Sequence, residues 1–490
     1  MKLLALGLVA VSLAFSAEAP VVALPSKSPL VTFKIVFRTG AAFDPPGKPG
    51  VAALTASMLT QGGTRQLTYK QIVDAMFPMA TSVSSQVDKE MTTFSGTTHI
   101  DNLEAYYKLF ASMLLEPGWR PEDLSRLRDD AINYLRVGLR GNNDEELGKE
   151  VLYNVIYEGH PYGHHNVGTV SSLEKITMDD LKEFYAKHMT QANLMIGIAG
   201  GYPADFAARL KKDFERLPAG ARSKLLLSRP KEIEQTQMVI IDKQTRSTAY
   251  SMGFPIEVNR SHRDYPALLV AQSFLGQHRN SGGRLYNQMR EIRGLNYGDY
   301  AYIEYFPSGM FQFEPDPNLG RHHQIFQIWI RPVEPPTAHF ALRLGLFELD
   351  RFIKTGLTQE EFERTRSFLS KYVNLLMKTK NAELGYAIDS LFYGIPNYRR
   401  HLRDALARLT VDDVNRAIRK HLHTDRLRIV AVTDKGEEMK SKILSDAPSP
   451  MTYNSPKPDD VLKEDKIVES LKLGLKSEQI KVVPVATVFE

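Results

Sequence analysis

Thr177–Ala199, TMDDLKEFYAKHMTQANLMIGIA, and Thr410–Val432, TVDDVNRAIRKHLHTDRLRIVAV, are one pattern written twice. Aligned at their threonines, the two stay in step to the end without a gap. Each opens with a threonine suited to cap a helix and two aspartates in the first turn, where the helix dipole favours anions. Apolar residues follow at helical spacing, the helix closes on Lys-His, and the chain passes into an apolar strand. A helix–strand unit repeated at this distance predicts two homologous αβ domains of α+β class.

The repeat extends outward. A similar turn precedes each copy, Tyr157-Glu158-Gly159-His160-Pro161 and Tyr393-Gly394-Ile395-Pro396. Farther upstream, the strands Val31–Phe37 and Thr248–Phe254 each lead into an apolar helix, Val51–Leu59 and Ala267–Leu275. The expectation is a strand–helix–helix–strand unit in each of two domains, residues 20–217 and 237–445. Between them a polar linker, 218–236, begins with Pro218-Ala-Gly-Ala-Arg. Residues 446–490 form a C-terminal arm, in which APSPMTYNSPKPDD precedes a short amphipathic helix and the strand-like VVPVATVF. The arm is expected to pack on the body or on a partner.

A chain of 490 residues is too long for a single core. With 43% hydrophobic and 24% charged residues it has an ordinary globular composition. A net charge of +5 with interleaved signs disfavours nucleic acid and a membrane surface as partners. Lys2 followed by LLALGLVAVSLAF reads as an export signal over residues 1–19, too short to span a bilayer. Cleavage after Ser16 or Ala17 is favoured over Ala19, which would leave Pro20 next to the cut. The chain has no cysteine, so no disulfide framework supports it.

Gly50–Thr64, GVAALTASMLTQGGT, reads as an amphipathic helix with Val51, Leu54 and Met58 toward the core, stopped by Gly62-Gly63. Its opposite face is small, with Ala53, Ala56 and Ser57 at i, i+3 and i+4. At that spacing His-x-x-Glu-His is the inverted zinc-peptidase motif. Two methyls and a hydroxymethyl cannot hold zinc at about 2.0–2.1 Å or activate its water. No metal is therefore expected in this chain, with Ala53, Ala56 and Ser57 as the degenerate positions.

The Gly–Ala before those positions, the Met–Leu after them and the GGT closure resemble the surroundings of that motif in the M16 (pitrilysin/insulinase-type) peptidases. His160-Pro161-Tyr162-Gly163 and the stretch Arg290-Glu-Ile-Arg-Gly-Leu-Asn-Tyr297 resemble further M16 signatures, and the likeness covers about Val31 to Val432. It implies the LuxS/M16 metallopeptidase-like fold, two αβ domains forming one half of a clam-like chamber. Read cold, Arg290 and Arg293 complement a helix C-terminus closed by Gly294, before an aromatic strand with Tyr297, Tyr300, Tyr302 and Tyr305. The resemblance instead assigns Arg290 to substrate carbonyls and Tyr297 to the oxyanion of the tetrahedral intermediate.

Other candidates read as structural. Asp129 and Asp130 fall where active members place a third metal ligand, but read as solvated helix carboxylates. His160, His164 and His165 read as a packing turn, His322 and His323 as a loop, and His188 and His421 as helix C-terminal caps. Gln86–Gly96 reads as one strand bordering the cleft, able to add a peptide strand or simply a sheet edge. No GxSxG elbow supports Ser57, Ser251 or Ser281 as a nucleophile.

The resemblance thus implies a non-catalytic, substrate-binding M16B-type subunit, exported to the periplasm and paired with a zinc-bearing His-x-x-Glu-His chain to hydrolyse peptides. No cofactor is expected in this chain, with zinc in the partner. Two alternatives stay open: a scaffold without a peptidase role, or a self-sufficient peptidase with a relocated metal site.

Overall fold

A computed structural model describes residues 19–225, 227–306 and 315–490. The export signal falls almost wholly on residues 1–18, outside the described residues.

Two mixed sheets carry the chain. The strands are β1 (Val21–Pro25), β2 (Leu30–Phe37), β3 (Ser84–Val87), β4 (Thr92–His99), β5 (Leu194–Gly200), β6 (Gln237–Asp242), β7 (Thr248–Ile256), β8 (Asp299–Tyr302), β9 (Gln324–Val333), β10 (Arg428–Thr433) and β11 (Ile480–Pro484). The helices that matter here are α1 (Val51–Gln61), α2 (Leu103–Leu115), α3 (Pro121–Asn133), α4 (Asp144–Ile156), α5 (Met178–His188), α6 (Tyr265–Gly276), α7 (Ala338–Thr355), α8 (Lys380–Tyr393), α9 (Val411–His421) and α10 (Asp459–Glu469).

The first sheet runs β1-β5-β2-β4-β3 and the second β11-β6-β10-β7-β9-β8. Apart from β11, the orders match strand for strand. β1 runs parallel to β5 as β6 runs parallel to β10, and the other equivalent pairs are antiparallel. Each half therefore holds five equivalent strands, more than a strand–helix–helix–strand unit provides. Gln86–Gly96 is not one strand but the turn region of the β3–β4 hairpin. Its Ser-, Thr- and Gly-rich arms lack the apolar alternation that marks a half-buried strand.

The repeated threonines do what their positions predict. The Thr177 hydroxyl accepts from Asp180 N–H, and the Asp180 carboxylate accepts from Thr177 N–H at 2.8 Å. Thr410 and Asp413 make the same reciprocal cap at the start of α9. Such a cap stabilises a helix by about 1 kcal/mol.

The halves exchange helices. α4, from the first half, packs on β7 and β10 of the second sheet, while α8, from the second, packs on β5, β1 and β2 of the first. Both helices contain Glu-Leu-Gly, at 146–148 and 383–385. A Cβ on Gly148 would lie 3.2 Å from Ser251 Oγ, so the missing side chain admits β7. On the other side, Leu384 and Ile388 of α8 form a closed cluster with Val36, Met91, Met195 and Ala199.

Buried polar contacts reinforce the join. Arg321 clasps Asp88 of the β3–β4 turn, with Nε–Oδ2 at 2.9 Å and both side chains inaccessible to solvent. Glu90 in the same turn accepts from His322 N–H at 2.8 Å and pairs with His322 Nδ1 at 2.7 Å. The C-terminal residues bind the body as well. β11 forms the sixth strand of the second sheet, and Val488 and Phe489 join the core of the first half.

Candidate functional site

The degenerate helix is built as packing. Gly50 takes φ = 102°, and a Cβ there would meet Val167 O at 2.4 Å. The start of α1 is capped by Asp44, whose carboxylate accepts from Gly50 N–H and Ala52 N–H at 2.7 Å each. At the far end Gly63 N–H donates to Asp123 at 2.9 Å.

Val51, Leu54 and Met58 are buried, as their spacing predicts. Ala53 and Ser57 are half-buried, but Ala56 is fully buried with Thr55 and Thr60. The three small residues therefore do not share one wet face. Thr60 Oγ1, which donates to Ala56 O at 3.0 Å, also lies 3.2 Å from Ser85 Oγ on β3. The face that a glutamate would need is packed against the sheet.

Two alanines and a serine do not make a zinc ligand set. Asp129 and Asp130 add nothing to them, for both are exposed, and Asp130 pairs with Arg126 at 3.7 Å. The residues of α1 do not fit zinc.

Arg290 and Tyr297 are brought together. Arg290 lies in a π-helical turn, Asn287–Glu291, a local form often found at functional sites. Gly294, at φ = 66°, reverses the chain, and its N–H donates to Arg290 O at 2.8 Å. Asn296 sets the next bend: its Oδ1 accepts from Gly298 N–H at 3.0 Å, while its Nδ2 donates to Asp299 Oδ1 at 2.7 Å and Arg331 O at 3.0 Å.

The Tyr297 ring consequently lies against the Arg290 guanidinium, 4.2 Å from Cζ to ring centroid. Tyr286 faces the same guanidinium at 4.8 Å, and its hydroxyl is hydrogen-bonded to Arg290. Arg331 approaches the Tyr297 ring at 5.6 Å and is held by Glu145 of α4 at 2.9 Å. Both halves thus contribute to the platform. Tyr297 remains 65% exposed, beside largely buried Tyr286, Tyr300 and Tyr302.

Beneath the loop Asp299 is buried, and burial pushes its carboxyl up to about 8 against the opposing hydrogen bond from Asn296. Its Oδ2 has no partner in the described structure. A carboxyl so placed is mostly protonated at neutral pH, a feature with no signal in sequence.

Only some of the histidines lie together: the His160 and His323 rings meet edge to face, with centroids 5.4 Å apart. His160 Nδ1 accepts from Tyr162 N–H at 3.1 Å, and its Nε2 lies 3.0 Å from Ser228 O. His164 faces Asp44 at 3.3 Å and His165 faces Glu150 at 3.7 Å. Burial pushes His160 down to about 4 and His165 to about 3, so both are neutral at pH 7. His322 pairs with Glu90 rather than standing free in a loop. His188 and His421 correct the capping expectation: His188 Nδ1 lies 2.9 Å from Ser223 Oγ, and His421 Nε2 lies 2.8 Å from Asp264. Each reaches across to another segment, because the side chain at a helix end is long enough to leave its own carbonyls. Among the described residues, no helix is long and apolar enough to cross a membrane.

Two models of one family match the chain: "Insulinase (Peptidase family M16)" over residues 21–170 and "Peptidase M16 inactive domain" over 175–369. The second match begins before β5, which pairs in the first sheet. An uncharacterized zinc protease of Rickettsia bellii is 24% identical over 369 residues, 73% of this chain and 82% of that protein. A protein of Helicobacter pylori named non-peptidase homolog YmxG is 23% identical over 429 residues, 84% and 90% of the two chains. The crystal structure of a peptidase M16 inactive domain from Pseudomonas fluorescens matches with a TM-score of 0.74 at 24% identity, covering 85% of this chain and 96% of that one.

Proposed function

Because the chain belongs to peptidase family M16, we propose that it is the non-catalytic, substrate-binding subunit of a two-chain zinc peptidase, exported to the periplasm. One observation carries this reading. The arginine–tyrosine platform is assembled and exposed, with Arg290 4.2 Å from the Tyr297 ring, in a chain whose α1 offers no zinc ligand. The partner is a zinc-bearing M16 chain with an intact His-x-x-Glu-His helix, and its zinc activates the attacking water. In this chain the Arg290 fork binds the carbonyls of an extended peptide, and its stacking on Tyr286 and Tyr297 limits the rotamers it must lose on binding. The Tyr297 hydroxyl donates a hydrogen bond to the oxygen that becomes negative as the peptide carbonyl turns tetrahedral.

The test is reconstitution with a zinc-bearing M16 chain from the same genome. Zinc per chain and cleavage of a peptide library are measured for each chain alone and for the mixture. The expected outcome is cleavage that appears or rises strongly only in the mixture. Cleavage by this chain alone overturns the reading. A scaffold role is favoured by one finding, the non-peptidase name of the Helicobacter pylori relative. It predicts that no mixture cleaves and that Tyr297 changes affect stability only.

A further inference from the structure

A cluster in the second half takes no part in the peptide chemistry above. Asp264 stands immediately before α6, and its Oδ2 meets His421 Nε2, at the end of α9, at 2.8 Å. His262, two residues earlier, turns its ring perpendicular to that of His421, with centroids 5.7 Å apart. One ligand atom from each of the three lies within 4.8 Å of the other two. Two imidazoles sharing one zinc ion at about 2.0–2.1 Å place their centroids roughly 5 Å apart. The rings are thus already near the spacing that a common ion imposes. We propose that His262, Asp264 and His421 form a site for a divalent transition-metal ion of the zinc class, tying the start of α6 to the end of α9.

The donor chemistry suits that class: two imidazoles and one carboxylate are borderline ligands for zinc, nickel or copper rather than for calcium or magnesium. Binding has costs that the structure also shows. His262 Nδ1 accepts from Asp264 N–H at 3.0 Å, a bond that must loosen if this nitrogen turns to the ion. His421 gives up its hydrogen bond to Asp264: Nε2 releases its proton to solvent and Nδ1 carries one, so the ring binds the ion as the neutral Nδ1–H tautomer.

Three cations compete for the carboxylate. Lys420 Nζ lies 2.9 Å from Oδ2, Arg263 Nε lies 3.6 Å from Oδ1, and Arg416 senses Asp264 electrostatically. Lys420 and Arg263 are 50% and 83% exposed, so their pairs are weak and readily displaced by a divalent ion. The site acts as a clamp between helices.

The test uses the full chain after dialysis against a chelator, titrated with Zn²⁺ by calorimetry and with Co²⁺ by visible absorption. The expected result is one ion per chain and Co²⁺ bands of tetrahedral intensity. His262→Ala and His421→Ala should each weaken binding by about tenfold or more. Lys420→Gln keeps every donor while removing the competing ammonium, and should tighten binding several-fold. Metal-free melting curves identify any histidine variant that fails to fold, and Lys420→Gln then decides alone. Absence of stoichiometric binding overturns the proposal. So does equal binding by wild type, both histidine variants and Lys420→Gln, which marks an adventitious ion only.

Discussion

The face of α1 and the Arg290–Tyr297 loop are opposite outcomes of the same fold. On α1 the positions of a metal motif hold the smallest side chains, and Ala56 has gone fully into the core. What remains serves packing: Val51, Leu54 and Met58 inward, Asp44 capping the start. In the loop, a large aromatic ring is kept 65% exposed, and an arginine is held against it by a π-turn, a left-handed glycine and Asn296. Stability alone does not call for an exposed tyrosine with its own supporting frame. One region has been absorbed into the core, and the other is held exposed at the surface.

The sharpest way to break this contrast is to put the motif back. Ala56→Glu buries a carboxylate without a partner, which should cost on the order of 3–5 kcal/mol in denaturant unfolding. Ser57→His, at a half-buried position, should cost less than about 1 kcal/mol. Equal tolerance of both would mean that α1 still has an open catalytic face.

Arg290→Ala removes a charge-assisted fork from the other region. We expect a loss of roughly 1.5–3 kcal/mol of transition-state binding, a tenfold to hundredfold fall in kcat/KM of the two-chain complex. The folded chain should melt almost unchanged.

Asp299 tests the frame beneath the loop. Its carboxyl, pushed up to about 8 in the fold, titrates near 3.9 when unfolded. The folded chain therefore binds the extra proton between those values, and stability falls as pH rises from about 4 to about 8. Asp299→Asn should remove that slope, worth on the order of a few kcal/mol, when unfolding midpoints are compared at pH 5 and pH 8. An unchanged slope would show that Asp299 is not the group responsible. The smallest effect belongs to Glu145→Gln, which frees Arg331 from a partly exposed pair. It should change stability by less than about 1 kcal/mol and turnover only several-fold.

Much of this fold is legible in the sequence because its signals are local. Thr177 and Thr410 with their paired aspartates mark two helix starts, and the Val31–Phe37 and Thr248–Phe254 runs mark matching central strands. What escapes depends on distant partners. The hairpin at β3–β4 is hidden by Ser, Thr and Gly, and its acidic turn is buried only because Arg321 and His322 arrive from the other half. The exchange of α4 and α8 leaves only the repeated Glu-Leu-Gly as a trace, which packing alone explains. His421 reads as a cap because its partner, Asp264, lies 157 residues upstream. At the candidate site, Arg290 and Tyr297 are legible through family resemblance, whereas Tyr286, Asn296 and Arg331 become visible only with the loop folded around them.

The most direct measurement is kcat of the reconstituted two-chain peptidase carrying Tyr297→Phe, at saturating peptide, with zinc counted in the same preparation. Loss of one oxyanion donor is worth about 2.7–4 kcal/mol, so turnover should fall by roughly 10²–10³ with zinc content unchanged. Full turnover in the Tyr297→Phe complex would contradict the division of labour between the two chains.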